Sequence, residues 1–208
     1  MGRVSQAQAA ENRERIVATA ARLFRERGIA GVSVADVMGE AGLTHGGFYK
    51  HFASKDALVA EAVARAFADQ AAASGATGEP GGRAAFLDGY LSPTHRDDPG
   101  AGCPTAGFGG DVARSGGGDA ARYAYAKGVE GFARRLGSDG EPDLAALSTM
   151  VGALILARAT AGTALSDRIL AAARESLGSR AATGPRITGG TGRSAGAADP
   201  PPPAQPGR

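Results

Sequence analysis

The sequence predicts an all-α fold. Apolar residues recur at helical spacing in run after run, the breaks between runs are rich in glycine and proline, and residues that cap helices stand where runs begin. Near the N-terminus, Ile16, Ala20, Leu23 and Phe24 follow the i, i+4, i+7, i+8 rhythm of one apolar face. Arg13, Arg15, Arg22 and Arg25 supply the charged complement, and Gly28 is a natural stop. Arg3 reads as a solvated terminal charge, with reach to a phosphate or a minor groove as the alternative.

The next helix starts at Ser33. Asp36 lies three residues on, so the two can form a capping box, and Val32 with Val37 can close a hydrophobic staple. Ala41-Gly42 ends it, because glycine takes the left-handed conformation without steric cost. Thr44 offers a second N-cap to a segment, His45 to Phe52, that is too short to be stable alone and must be held by packing. Phe48 and Phe52 share one face and belong to the core, whereas His45, Gly46, Tyr49 and Lys50 fall elsewhere. They offer donors, a cation and an aromatic hydroxyl, and Gly46 and Gly47 let the backbone approach closely. Ser54 caps a further helix whose first residue, Lys55, opposes the helix dipole; a phosphate partner would explain it, and exposure to water is the plain alternative. Two short capped helices joined by a glycine turn, with a third directly after, are an arrangement that reads DNA.

The run from Gly28 through Ser33, Ala41-Gly42-Leu43-Thr44, Gly46-Gly47-Phe48-Tyr49, His51-Phe52 and Ser54-Lys55-Asp56-Ala57-Leu58 resembles the DNA-binding domain of the TetR family of bacterial transcriptional regulators. The resemblance covers about the first third of the chain. It implies an all-α homodimer with an N-terminal three-helix helix-turn-helix domain and a C-terminal helical domain that binds a small molecule. The residues expected at a double-stranded operator are Ser33, Thr44, His45, Gly46, Gly47, Tyr49, Lys50, His51 and Lys55, with Tyr49 and Lys55 on the backbone. Repression relieved by an effector is the family tendency.

Charge is consistent with this but does not establish it. The net charge is +2, and residues 1 to 60 hold eight Lys/Arg against six Asp/Glu, so two recognition helices of a dimer on a pseudo-palindromic site are needed for affinity. No apolar run reaches the eighteen or so residues that span a bilayer. With no secretory signal and a lone cysteine, the expected compartment is the cytoplasm.

From Lys55 the periodicity continues through Leu58, Val59, Ala62, Val63, Ala66 and Phe67, making this helix the mechanical link between residues 1–54 and an effector and dimerisation domain at 55–182. Ala85, Phe86, Gly89 and Tyr90 suggest a short helix, Ser92 to Gly102 a loop, and Cys103-Pro104 the start of a segment reaching Val112. Asp119 can cap a helix through Tyr123, Val129, Phe132 and Leu136. An effector pocket is expected among residues 62 to 136, drawing on Phe67, Phe86, Tyr90, Cys103, Phe108, Tyr123 and Tyr125, with core packing as the alternative for the aromatics. Many glycines reflect a GC-rich composition and carry no mechanical meaning.

The last pair of helices is nearly all apolar in its first member. Leu147, Val151, Leu154, Ile155 and Arg158, with Ile169, Leu170 and Ala173 after a start at Ser166 or Asp167, are expected to form a four-helix dimer interface. After Ala182 the chain turns to Gly, Pro, Ser and Thr, a composition expected of a disordered tail over 183–208.

Cys103 is open to two readings: a thiol that senses oxidants or electrophiles near a helix N-terminus, or a small buried apolar residue. An enzyme using Cys103 and His95, near Asp97 and Asp98, is the remote rival; none of the motifs of nucleophilic or metal catalysis surrounds them. No catalytic residue, metal or cofactor is expected.

Overall fold

A computed structural model describes residues 6–73, 82–114, 116–138 and 141–182. The expected tail at 183–208 and Arg3 lie outside these. Among the described residues there are helices and connecting turns and no strand, as the sequence predicts. The elements are α1 (Gln6–Arg27), α2 (Val34–Glu40), a 3₁₀ helix (His45–Lys50), α3 (Lys55–Ala73), α4 (Gly82–Tyr90), α5 (Pro93–Asp97), α6 (Pro104–Ala113), α7 (Gly118–Leu136), α8 (Leu144–Ala159) and α9 (Ala164–Ala182).

The capping box at Ser33 is complete: its hydroxyl accepts the Asp36 N–H at 3.1 Å, and Asp36 accepts the Ser33 N–H at 2.8 Å. At the other end of α2, Gly42 sits at φ +70°, with Gly42 N–H donating to Gly39 O and Leu43 N–H to Met38 O. This pair of bonds is a Schellman stop, and an L side chain at Gly42 would be strained. Thr44 departs from expectation, making no side-chain bond to the 3₁₀ helix it precedes. Ser54 does cap α3, accepting the Ala57 N–H at 3.1 Å.

Further on, the expected loop from Ser92 holds a short helix, because Ser92 accepts the His95 N–H at 3.1 Å and Pro93 occupies the first helical position, where its missing N–H costs nothing. Asp119 lies inside the first turn of α7, whose N-cap is Gly117. Ser166 is inside α9, which starts at Ala164, and its buried hydroxyl donates to Ala157 O, tying α9 to α8.

Two apolar cores result. The first joins Ile16, Leu23, Phe24, Val37, Met38, Phe48 and Phe52 to Leu58, Val59 and Val63 of α3 and Phe108 and Val112 of α6, so packing runs straight across the 54/55 boundary. The second gathers Leu87, Tyr90, Leu91, Cys103, Phe132, Met150, Leu154 and Leu170. Between α3 and α7 the approach is so close that a Cβ at Gly128 would fall within the Phe67 ring's van der Waals envelope. That glycine does carry mechanical meaning, unlike the general expectation from composition.

Candidate nucleic-acid interface and effector cavity

The 3₁₀ helix stands on two buried rings. Phe48 and Phe52 are stacked at 5.5 Å between centroids, and Arg13 lies over Phe52 while its guanidinium pairs with Glu61 of α3, one bond being 2.6 Å. Tyr49 packs edge-on against Phe48 at 5.2 Å, yet is 71% exposed. A rigid aromatic root thus holds a phenol out in water. Ser33, Thr44, His45, Gly46 and Lys50 are also exposed, and Gly47 and His51 are half-buried.

Lys55 has a different surrounding from either expectation. Its ammonium donates to Ile29 O at 2.6 Å and lies 5.9 Å from the Phe24 ring centroid. The cation that looked misplaced beside the helix dipole is therefore answered inside the chain, and the dipole argument for a phosphate partner falls away.

The aromatics expected in one pocket are distributed over several environments. Phe86, Tyr90 and Cys103 do come together, lining a cavity of about 590 Å³ with Arg25, Ala66, Asp69, Gln70 and His95. Its size suits a drug-sized ligand. Phe67 and Tyr123 instead border a groove between α3 and α7 with Lys127 and Arg135. Phe108 is a correction: it is fully buried in the first core, as the side of α6 facing α1 requires. Tyr125 packs edge-on against Phe67 and donates its hydroxyl to Thr105 O at 2.8 Å, tying α7 to α6. Arg25 on the cavity wall was not expected, since its place on the polar face of α1 suggested only solvent.

His95 and Cys103 are adjacent but not arranged for catalysis. The imidazole Nδ1–H donates to Tyr90 O at 2.7 Å, and Nε2 accepts the Cys103 backbone N–H at 3.0 Å, so hydrogen bonding sets the tautomer and engages both ring nitrogens. Burial holds this imidazole below its ordinary pKa, opposed by the Tyr90 carbonyl and assisted by Arg158. The ring serves to seat the backbone before α6 and offers neither a base to the thiol nor a metal ligand. Among the described residues no group of three His, Cys, Asp or Glu could hold a metal ion. Cys103 itself is 2% exposed.

The expected dimer residues divide in the same way. Leu147, Leu154, Leu170 and Ala173 are corrections, being buried within their own chain, and Arg158 turns inward to donate to Arg96 O and His95 O, each at 3.0 Å. Val151 and Ile169 are half-buried. Ile155 is exposed, and with it Leu144 and Leu156 of α8 and Leu165 of α9, none of which was among the expected interface residues. No described helix is long and apolar enough to cross a membrane.

Residues 16–62 match the sequence model of a family described as bacterial regulatory proteins, tetR family. The uncharacterised HTH-type transcriptional regulator YerO of Bacillus subtilis is 42% identical over 52 residues, 25% of this chain and 18% of that protein, so the likeness spans under a fifth of the relative's length. Over the whole fold, the reduced form of Escherichia coli NemR superposes with a TM-score of 0.67 at 20% identity, covering 80% of this chain and 95% of that one. A TetR transcriptional regulator from Chloroflexus aurantiacus gives 0.65 at 24% identity, covering 86% and 98%. At such identities these two show the fold. The segment that builds the exposed 3₁₀ helix thus carries the pattern of the tetR family of bacterial regulatory proteins, and the fold around it is that of solved TetR regulators.

Proposed function

We propose that the protein is a sequence-specific DNA-binding transcriptional regulator that acts as a homodimer, represses by occupying a pseudo-palindromic operator, and is released by a small-molecule effector. The observation that carries the reading is Tyr49, 71% exposed on a buried aromatic root and flanked by exposed His45 and Lys50. A hydroxyl and a cation held out by a rigid base suit contact with a phosphate backbone, and the exposed Gly46 permits close approach. Ser33, Thr44, Gly47 and His51, none of them buried, complete the proposed contact set, while Lys55 is bonded to Ile29 O behind it. Dimerisation is assigned to the outward side of α8 and α9, through Ile155, Leu156, Val151, Leu165 and Ile169, and the effector to the cavity at Phe86, Tyr90 and Cys103.

The test is binding of the purified protein to its own upstream DNA and to genomic fragments across a salt series, with Tyr49→Ala and Lys50→Ala beside it. Tight, salt-sensitive binding that both variants weaken is expected. Absence of specific binding to any fragment overturns the reading.

A second reading, thiol-based sensing of oxidants or electrophiles through Cys103, is favoured by the thiol's place on the cavity wall. If protein alkylated at Cys103 binds the operator as untreated protein does, that reading fails.

A further inference from the structure

We propose that the cavity takes an amphipathic organic anion, its charged end held by Arg25 and its apolar body lying against Phe86 and Tyr90. This rests on the reading of that cavity as the effector site and names the chemistry of its ligand.

The charges around the cavity do not balance. Arg25 enters from α1, donates from Nε to Gly100 O at 2.8 Å and from Nη2 to the same oxygen, and pairs with no carboxylate among the described residues. Arg158, close to Gly102 though outside the lining, likewise donates to carbonyls, those of Arg96 and His95. The one carboxylate on the wall, Asp69, is bonded to Arg65 at 2.7 Å and acts on Arg25 only through space, as Glu26 and Asp98 do more weakly, so that burial still outweighs them. His95 adds no charge, with both nitrogens in backbone hydrogen bonds and its pKa lowered by burial. Burial also lowers the pKa of both guanidiniums, which is the mark of cations held away from water without full compensation. They remain charged, so the free energy of the site improves when an anion arrives.

A second group points the same way. The Tyr90 hydroxyl is buried on the cavity wall, and the group it faces is the Cys103 thiol, a weak acceptor that an oxygen of a ligand would outcompete. Burial, with Cys103 adding to it, raises its pKa well above the ordinary value, so it stays a donor. Arg25 and Tyr90 together offer N–H and O–H groups to an acceptor-rich head, and Phe86, Ala66 and Ala85 offer an apolar surface to the rest.

The ligand would also address the reading head directly. Arg25 belongs to α1, and its hold on Gly100 O joins that helix to the turn before α6. An anion that takes the guanidinium competes with this carbonyl, and the two states of the contact are then the states between which a ligand discriminates.

Three ligands of one shape test the proposal: 2-naphthoate, 2-naphthamide and 2-naphthylmethylammonium, titrated calorimetrically into the full chain. Naphthoate is expected to bind at least tenfold more tightly than either of the others, and Arg25→Met, which keeps the stem, is expected to erase that preference and leave the amide's affinity unchanged. Slower iodoacetamide labelling of Cys103 with naphthoate present places the ligand in the cavity even if Arg25→Met does not fold. Equal affinities, a preference for the ammonium, a preference that survives Arg25→Met, or an unprotected Cys103 would each overturn the inference. Operator binding is measured separately: loss of DNA binding with the anion preference intact strikes the regulator reading alone, and the converse strikes this inference alone.

Discussion

Asp111 Oδ2 accepts the backbone N–H of Ile29 at 3.0 Å, across 82 positions of sequence. The Ile29 carbonyl accepts a hydrogen bond from the Lys55 ammonium at 2.6 Å, so α6 and α3 hold Ile29 through its N–H and its C=O, just after the end of α1. Since Gly28 ends α1 at φ +76° directly before it, this grip sets the direction in which the chain leaves for α2 and the 3₁₀ helix. The reading head is thereby attached to the domain that holds the cavity by two hydrogen bonds with charged partners.

Removing the grip should loosen the head. Asp111→Ala and Lys55→Met are each expected to lower stability by about 1.5–3 kcal/mol, the range for hydrogen bonds to charged groups. Asp111→Asn, which keeps an acceptor, is expected to lose less. Urea unfolding followed by circular dichroism measures this, and no loss in either variant would show the grip to be incidental.

Tyr49→Ala should separate binding from folding. An exposed side chain of this kind contributes within about 0.5 kcal/mol to stability. The melting temperature should therefore stay within a degree or two while operator affinity falls at least tenfold. For Lys50→Ala, the slope of log affinity against log salt should fall by about one per protomer if the ammonium meets a phosphate.

Acid should destabilise the turn before α6 through His95. Its folded-state pKa lies below the ordinary 6.5, so as pH falls the unfolded chain takes the proton first. The stabilising contribution is complete above about pH 6.5 and is lost as pH falls from there toward the folded-state value. Protonating Nε2 would also break its bond with the Cys103 N–H. The melting temperature is expected to drop between pH 7 and 5.5 in the natural protein and to vary less in His95→Gln; equal slopes would assign the effect to other groups.

Gly128→Ala should be costly despite the higher helix propensity of alanine. The added methyl meets the Phe67 ring between α3 and α7, and overpacking of that kind costs about 1–3 kcal/mol. A melting temperature equal to or above that of the natural protein would mean that α3 and α7 can separate freely.

Leu156→Glu tests the assigned dimer face. Leu156 is 56% exposed in the single chain, so the substitution leaves that chain's core intact. Light scattering is expected to report twice 20.7 kDa for the natural protein and 20.7 kDa for the variant. A dimer that persists in the variant moves the interface elsewhere.

Local chemistry was legible because its partners lie within a helical turn. The Ser33–Asp36 box, the Gly42 stop, the Ser54 cap and the shared face of Phe48 and Phe52 each need only residues three or four apart, and all are present. The short α5 was legible in principle, from Ser92 and Pro93, but its proline and aspartate content read as a loop.

What the sequence by itself determined is the helical class, the caps and stops of the first short helices, and the burial of Phe48 and Phe52 beside an exposed Tyr49. Only the tertiary structure decided where the long cations go. Arg25, Lys55 and Arg158 reach carbonyls 75, 26 and 62 or 63 positions away, and the hydrogen-bond partner of a flexible charged side chain is set by whichever distant backbone packing brings within reach. The same holds for the leucines of α8: periodicity cannot choose between two apolar faces of one helix, and it is the packing of α8 on α9 and α7 that buries Leu154 and leaves Leu156 outside.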